Sequence, residues 1–219
     1  MVSALKILAA VFLVLVRVSS ASAQTAALGA GKVEIGLYPV GGAFFTGGDD
    51  DAEVNFNVYS SGAYLTYYLN ERAAVEGEFG IGFGLAQDVL FKRAEVLHVQ
   101  MPNVWTYSAN VVFFPDGTAG RRLPFYVTGG VGAVSLQSRQ PTTQFGYDTH
   151  TVGFETFTAE NVGGGVKIFR GAEAPDWGFR VDYRYLIVNT NSDAPAFFAK
   201  TKSRSGHRVT FGVLFTWKR

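Results

Sequence analysis

The sequence predicts an all-β chain: an eight-stranded antiparallel up-and-down transmembrane β-barrel with short periplasmic turns and long extracellular loops. Three observations carry this expectation. Residues 207–219 read HRVTFGVLFTWKR, where Val209, Phe211, Val213, Phe215 and Trp217 alternate with Arg208, Thr210, Gly212, Leu214 and Thr216. A period of two puts the sets on opposite faces of a strand. Bulky residues on one face and small, polar ones on the other is the pattern of a strand whose outside is lipid. Beyond the first 23 residues no segment approaches 18 consecutive apolar residues, yet aromatic residues make up 15% of the chain. A closed barrel reconciles the two, because its lipid-facing residues are spread one in two along many strands. Finally, the connections alternate in length, short after every even strand and long after every odd one.

In order, residues 1–23 read as a secretory signal. Lys6 supplies the positive start, residues 7–16 the apolar run, and Ala21-Ser22-Ala23 the small residues of a cleavage site. Residues 24–31 are a short linker, and residues 32–219 the barrel domain. In the first strand Val33, Ile35 and Leu37 alternate with Glu34, Gly36 and Tyr38, and Pro39 with Gly41-Gly42 predicts a bend or bulge. Residues 46–53 are a polar loop. The next hairpin, GAYLTYYL-NER-AAVEGEFGIGFG, puts Leu65, Tyr67, Leu69, Val75, Phe79, Ile81 and Phe83 on one face, against Glu76, Glu78, Gly80, Gly82 and Gly84.

Residues 85–102 stay unassigned: Val89, Arg93 and Val96 have helical spacing, whereas Leu97, Val99 and Met101 suit a strand. The fourth strand, 103–114, turns Trp105, Tyr107, Ala109, Val111 and Phe113 outward, and the proline and Asp-Gly signals of 115–124 make a turn. The fifth, 125–136, has an ambiguous face after Gly132, since Val134 and Leu136 are out of phase with Phe125, Val127 and Val131. Residues 137–155 read as a polar loop, and 157–169 as the sixth strand with a bulge between its halves. After a short turn at 170–176, the seventh strand turns Trp177, Phe179, Val181, Tyr183, Tyr185 and Ile187 outward. Residues 188–206 are the last polar loop, leading to the eighth strand.

Without Lys6 and Arg17 the expected mature chain holds 17 basic and 18 acidic side chains, a formal charge of −1. That balance gives no reason to expect nucleic acid as a partner. The absence of cysteine removes disulfides and thiol catalysis. Outward aromatics fall into two groups by height: Tyr67, Phe113, Phe125, Trp177 and Trp217 near the short turns, and Trp105, Tyr107 and Tyr185 nearer the long loops. Such pairs of girdles mark the two interfaces of a bilayer.

The stretches YLTYYLNERAAVEGEFGIG, NVGGGVKIF, GFRVDYRYL and HRVTFGVLFTWKR together resemble the small eight-stranded outer-membrane β-barrels, the OmpA-transmembrane-domain and OmpX-like group. The chain departs from them in following Trp217 with Lys218 and Arg219, where members commonly close on an aromatic residue. The resemblance implies residence in the cell outer membrane of a Gram-negative envelope, among outer-membrane lipid and lipopolysaccharide, with the barrel-assembly machinery as a partner in biogenesis. A monomer with no cofactor is expected.

Chemistry is sparse. On the inward phase Glu34, Glu76, Glu78 and Asp182 meet Lys167, Arg180, Arg184 and Arg208, four acids and four bases. An eight-stranded barrel has an interior just filled by side chains, so ionised groups there must pair. The expectation is a salt-bridged lumen, structural or able to gate small ion flow as interior pairs do in the resembled family. Lipid A deacylases on this architecture need a serine two residues after a histidine. Here the histidines precede Val99-Gln100, Thr151-Val152 and Arg208-Val209. His150 with Glu155, and His207 beside Ser205, lack a recognised spacing and read as solvated loop residues. Asp49-Asp50-Asp51 lacks the spaced ligands of a calcium loop and reads as a solvated charge run. Gly163-Gly164-Gly165 lets a strand bend and leaves room inside. Phe197-Phe198 is an apolar pair in the last long loop. The expected function is non-enzymatic, in envelope integrity or in surface adhesion and protection through the loops. A lipid A-modifying enzyme or a narrow pore on the same barrel is the alternative.

Overall fold

The structure is a computed structural model that describes residues 29–46, 55–91, 95–118, 121–144, 147–170, 176–190 and 203–218. Within them the alternation becomes pleated strand in ten segments: β1 (Lys32–Thr46), β2 (Phe56–Tyr68), β3 (Ala73–Gly84), β4 (Ala86–Phe91), β5 (Glu95–Gln100), β6 (Asn103–Phe113), β7 (Phe125–Gln144), β8 (Tyr147–Phe169), β9 (Trp177–Asn189) and β10 (Arg204–Lys218). Eight close an antiparallel barrel in the order β1-β10-β9-β8-β7-β6-β3-β2, while β4 and β5 form a separate two-stranded sheet. The closing seam sets Val33 opposite Trp217 and Ile35 opposite Phe215. Closure leaves none of the eight barrel strands with a free edge, as hydrocarbon demands of a spanning sheet.

One row of paired residues, followed round the wall, fixes the tilt. It runs Glu160, Val131, Ala109, Gly77, Leu65, Ile35, Phe215, Trp177 and returns to β8 at Arg170, ten residues from its start. A stagger of ten over eight strands tilts them by roughly 40°, at ~3.3 Å per residue and ~4.8 Å between strands. Each residue then rises about 2.5 Å along the axis. The outward run from Phe113 to Trp105 spans roughly 20 Å and that from Trp177 to Ile187 about 25 Å, the height of a hydrocarbon-facing band.

The faces are inverted relative to a soluble barrel. Phe211, Phe215 and Val181 are 47%, 49% and 36% exposed, and Phe179 is half-buried on the same outer face. Their neighbours Arg180, Asp182, Thr210 and Leu214 are buried inside. Inward aromatics fit against glycines of nearby strands: Tyr38 lies over Gly62 and Gly80, Tyr64 over Gly36, and Phe45 over Gly206. A Cβ at Gly36 would sit 2.0 Å from the Tyr64 ring, so only a hydrogen fits there.

Local departures from the sequence reading have physical causes. The bend expected near Pro39 is present, as register shifts between Leu37 and Val40 against β10 and between Tyr38 and Gly42 against β2. It moves the buried phase from Glu34 and Tyr38 to Ala43 and Phe45. Within 85–102 the helical spacing is not realised; β4 and β5 pair from Ala86 opposite Gln100 to Phe91 opposite Glu95. The Gln87 side chain holds this hairpin to β2, accepting from the Asn57 N–H at 2.9 Å and donating to its carbonyl at 2.5 Å.

Much of the loop expected at 137–155 is strand, with β7 and β8 paired as far as Gln144 opposite Tyr147. The last polar loop is shortened likewise, because β9 runs to Asn189 and β10 starts at Arg204. The pairings of β8 with β7 and with β9 run without a register shift, so the bulge expected in the sixth strand is absent. Val134 and Leu136 are buried in an unbroken β7: the apolar residues change face, not the strand.

Two apolar clusters explain that change. Near the long-loop end Ala43, Phe45, Phe56, Val58, Met101, Val104, Val134, Leu136, Phe157, Ala159, Leu186 and Val188 fill the interior. Near the short-turn end the filling is Tyr38, Tyr64, Tyr68, Ala74, Val112, Phe114, Tyr126, Phe169 and Leu214. Most of the buried charge is concentrated between them, while the buried Arg204 lies over the Phe56 ring of the upper cluster.

Candidate functional site

The polar layer starts from a run of three on β9. Arg180, Asp182 and Arg184 are spaced by two, so one pleat face carries all three inward. Register makes two like-charge neighbours: Arg180 stands opposite Lys167 on β8, and Arg184 opposite Arg208 on β10. Like charges directly opposite destabilise a sheet. The acids that answer them are Asp182 between the two arginines and, across the lumen, residues of β3 and β1.

Glu76 receives Arg180 at 2.5 and 3.2 Å, Arg184 at 2.7 Å and the Thr66 hydroxyl at 2.9 Å. Asp182 receives Arg180 at 2.8 Å, Arg184 Nε at 2.9 Å and the Tyr126 hydroxyl at 2.5 Å. Glu78 is shared by Arg184 at 3.1 Å and by Arg208, and accepts from the Tyr38 hydroxyl at 3.0 Å. Glu34 takes Lys167 Nζ at 2.7 Å and the Tyr68 hydroxyl at 2.7 Å. Asn161 extends the layer, accepting from Arg184 at 3.2 Å and donating to Asn110 at 2.9 Å.

The structure thus brings all eight of Glu34, Glu76, Glu78, Asp182, Lys167, Arg180, Arg184 and Arg208 into ion pairs, each with a side chain at most 4% exposed. Four charges of each sign leave the layer neutral. Aromatic rings flank its cations: Arg180 lies 4.2 Å from the Tyr64 ring centroid and 4.8 Å from that of Tyr126, and Lys167 5.2 Å from that of Tyr68. Desolvation makes such pairs costly to bury and costlier to break, since removal of one partner strands the other. Two cavities adjoin the layer. One of about 10 Å³ is lined by Tyr38, Tyr64, Glu78, Arg180, Asp182, Thr210 and Gly212, the other of about 20 Å³ by residues including Ser108, Asn161 and Arg208. Volumes of that size hold about one water molecule each.

The tyrosines of this site were not legible as such. Tyr38, Tyr64, Tyr68 and Tyr126 share the inward phase with the charged residues, and that phase was the available signal. The interface aromatics Tyr67, Trp105, Tyr107, Phe113, Phe125, Trp177, Tyr185 and Trp217 all lie on the outer face. The Tyr183 hydroxyl lies 2.9 Å from His207 Nδ1.

His98 pairs with Asp88 at 2.8 Å on the projecting hairpin. The Ser205 hydroxyl bonds Tyr185 at 2.7 Å, while His207 takes Tyr183. The side chain of His150 lies outside the described residues, as do residues 1–28, Asp49-Asp50-Asp51 and Phe197-Phe198. Gly163, Gly164 and Gly165 lie where β8 passes close to its neighbours; a Cβ at Gly163 would sit 2.0 Å from the Tyr183 carbonyl oxygen.

No family model and no curated protein matches the sequence. Among solved structures the chain is similar to Neisserial surface protein A, with 13% identity and a TM-score of 0.52 over 85% of this chain and 97% of that one. It is also similar to the outer membrane protein OprG from Pseudomonas aeruginosa, with 11% identity and a TM-score of 0.50 over 90% of this chain and all of that one. The likeness is one of fold: a small, closed, eight-stranded outer-membrane β-barrel.

Proposed function

We propose that the protein is an outer-membrane β-barrel with a sealed lumen, which acts without catalysis through its outward surface and its long-loop end. The observation that carries this reading is the filling of the interior, a neutral ion-pair layer between two apolar clusters. A barrel so filled offers solutes no continuous aqueous path, so transport through its axis is disfavoured. What remains available is the surface: projecting hairpins for adhesion or protection, and the wall itself for envelope integrity.

Likeness to outer-membrane barrels supports the location. A lipid A-modifying activity draws no support from the Ser205 and His207 hydrogen bonds, which go to different tyrosines. The test combines two measurements on the full chain folded in detergent. Heat-modifiable gel mobility is expected of a folded membrane barrel, and planar bilayers are expected to show no unitary conductance steps. Stable steps would replace the sealed barrel with the narrow pore.

A further inference from the structure

The turn between β6 and β7 carries Arg121, Arg122 and Leu123, and β8 ends at Phe169 with Arg170 next. Beyond the pairing of Phe125 with Val166, the Arg122 carbonyl accepts from the Phe169 N–H at 2.9 Å, and Arg122 Nε donates to the Phe169 carbonyl at 3.2 Å. This rung brings Arg121 and Arg170, one residue further on each side, to the same corner of the barrel. Arg170 continues the outward phase of Val162, Val166 and Ile168, directly below the apolar band. Leu123 and Phe125, 51% and 65% exposed, continue that band beside it. All three arginines are exposed at this corner, and Arg121 and Arg170 share the outward phase at the lower border of the hydrocarbon-facing surface.

Among the described residues the acids nearby are incompletely matched to them. Asp116 approaches Arg121 at 3.4 Å, with both side chains about half exposed or more. Asp176 accepts from the Trp177 N–H at 3.0 Å. We propose that Arg121, Arg122 and Arg170 form a binding site for the phosphate of an anionic phospholipid in the leaflet at the short-turn side, its acyl chains lying along Leu123, Phe125 and Ile168. Guanidinium groups match phosphate geometry in paired hydrogen bonds, and this corner places them at headgroup depth. The inference rests on the membrane reading above.

The test measures association of spin-labelled phosphatidylglycerol and phosphatidylcholine with the full chain in lipid vesicles. The native protein is expected to prefer phosphatidylglycerol, and the preference to fall roughly fivefold with each of Arg121→Gln and Arg170→Gln, the effect of one basic residue at an anionic surface. Arg72→Gln, an exposed arginine on the neighbouring β2–β3 turn but outside the corner, is expected to lower it less than either corner substitution. Equal association of the two lipids with the native protein, or a preference that survives both corner substitutions, overturns the proposal. So does full displacement by millimolar inorganic phosphate, which would make the corner a site for free phosphate. Heat-modifiable mobility of each variant is read alongside: its loss in the native protein would refute the membrane barrel, whereas its retention confines any failure to the lipid site.

Discussion

Lys167 and Glu34 meet at 2.7 Å where neither side chain has any exposed surface. They belong to β8 and β1, which are not neighbours in the barrel, so the pair ties opposite walls across the lumen. Removal of one member leaves a buried charge without its partner. Lys167→Met is expected to lower stability by about 3–5 kcal/mol. The double variant with Glu34→Gln should recover much of the loss, and urea unfolding in vesicles measures both.

Arg184 and Arg208 are cross-strand neighbours that share Glu78. Disruption of this link rearranges the polar layer but leaves the apolar clusters above and below it. Arg208→Ala and Glu76→Ala are therefore expected to show the same silent planar-bilayer traces as the native protein. Conductance steps in either variant would make the ion pairs a gate.

Gly36 and Tyr64 form a notch and its filling. Gly36→Ala should cost about 1–3 kcal/mol through overpacking. In combination with Tyr64→Leu the cost should shrink, and a double-mutant cycle will show the coupling as non-additivity.

Depth along the outer face should also be readable. Val213 lies in the middle of the outward run of β10 and Trp217 at its short-turn end. Val213→Arg is expected to destabilise by roughly 2–4 kcal/mol and Trp217→Arg by about 0–1 kcal/mol, the dependence on depth found for barrel strands. Equal effects would place both side chains in one environment.

The parts of the fold legible in the sequence are those where hydrocarbon imposes a pattern. Along β9 and β10 every second residue is large and apolar, and the phase is unbroken from Trp177 to Ile187 and from Val209 to Trp217. The inward charges were legible for the same reason, since Glu76, Arg180 and Arg208 fall on the opposite phase. Above the membrane the pattern ends. In 137–155 both phases are polar, so strands continuing as a hairpin carry no hydropathy signal. Val134 and Leu136 misled in another way, because the lumen itself turns apolar near the loops. The arginine corner was hidden because it forms only when the ladder brings Arg121 and Arg170 together.

The central claim is that alternate bulky side chains face hydrocarbon. The chain contains no cysteine, so single cysteines at 209–217 can be spin-labelled without background. Oxygen accessibility in lipid vesicles is predicted to be high at 209, 211, 213, 215 and 217 and low at 210, 212, 214 and 216. A flat profile, or one with the opposite phase, would contradict the account.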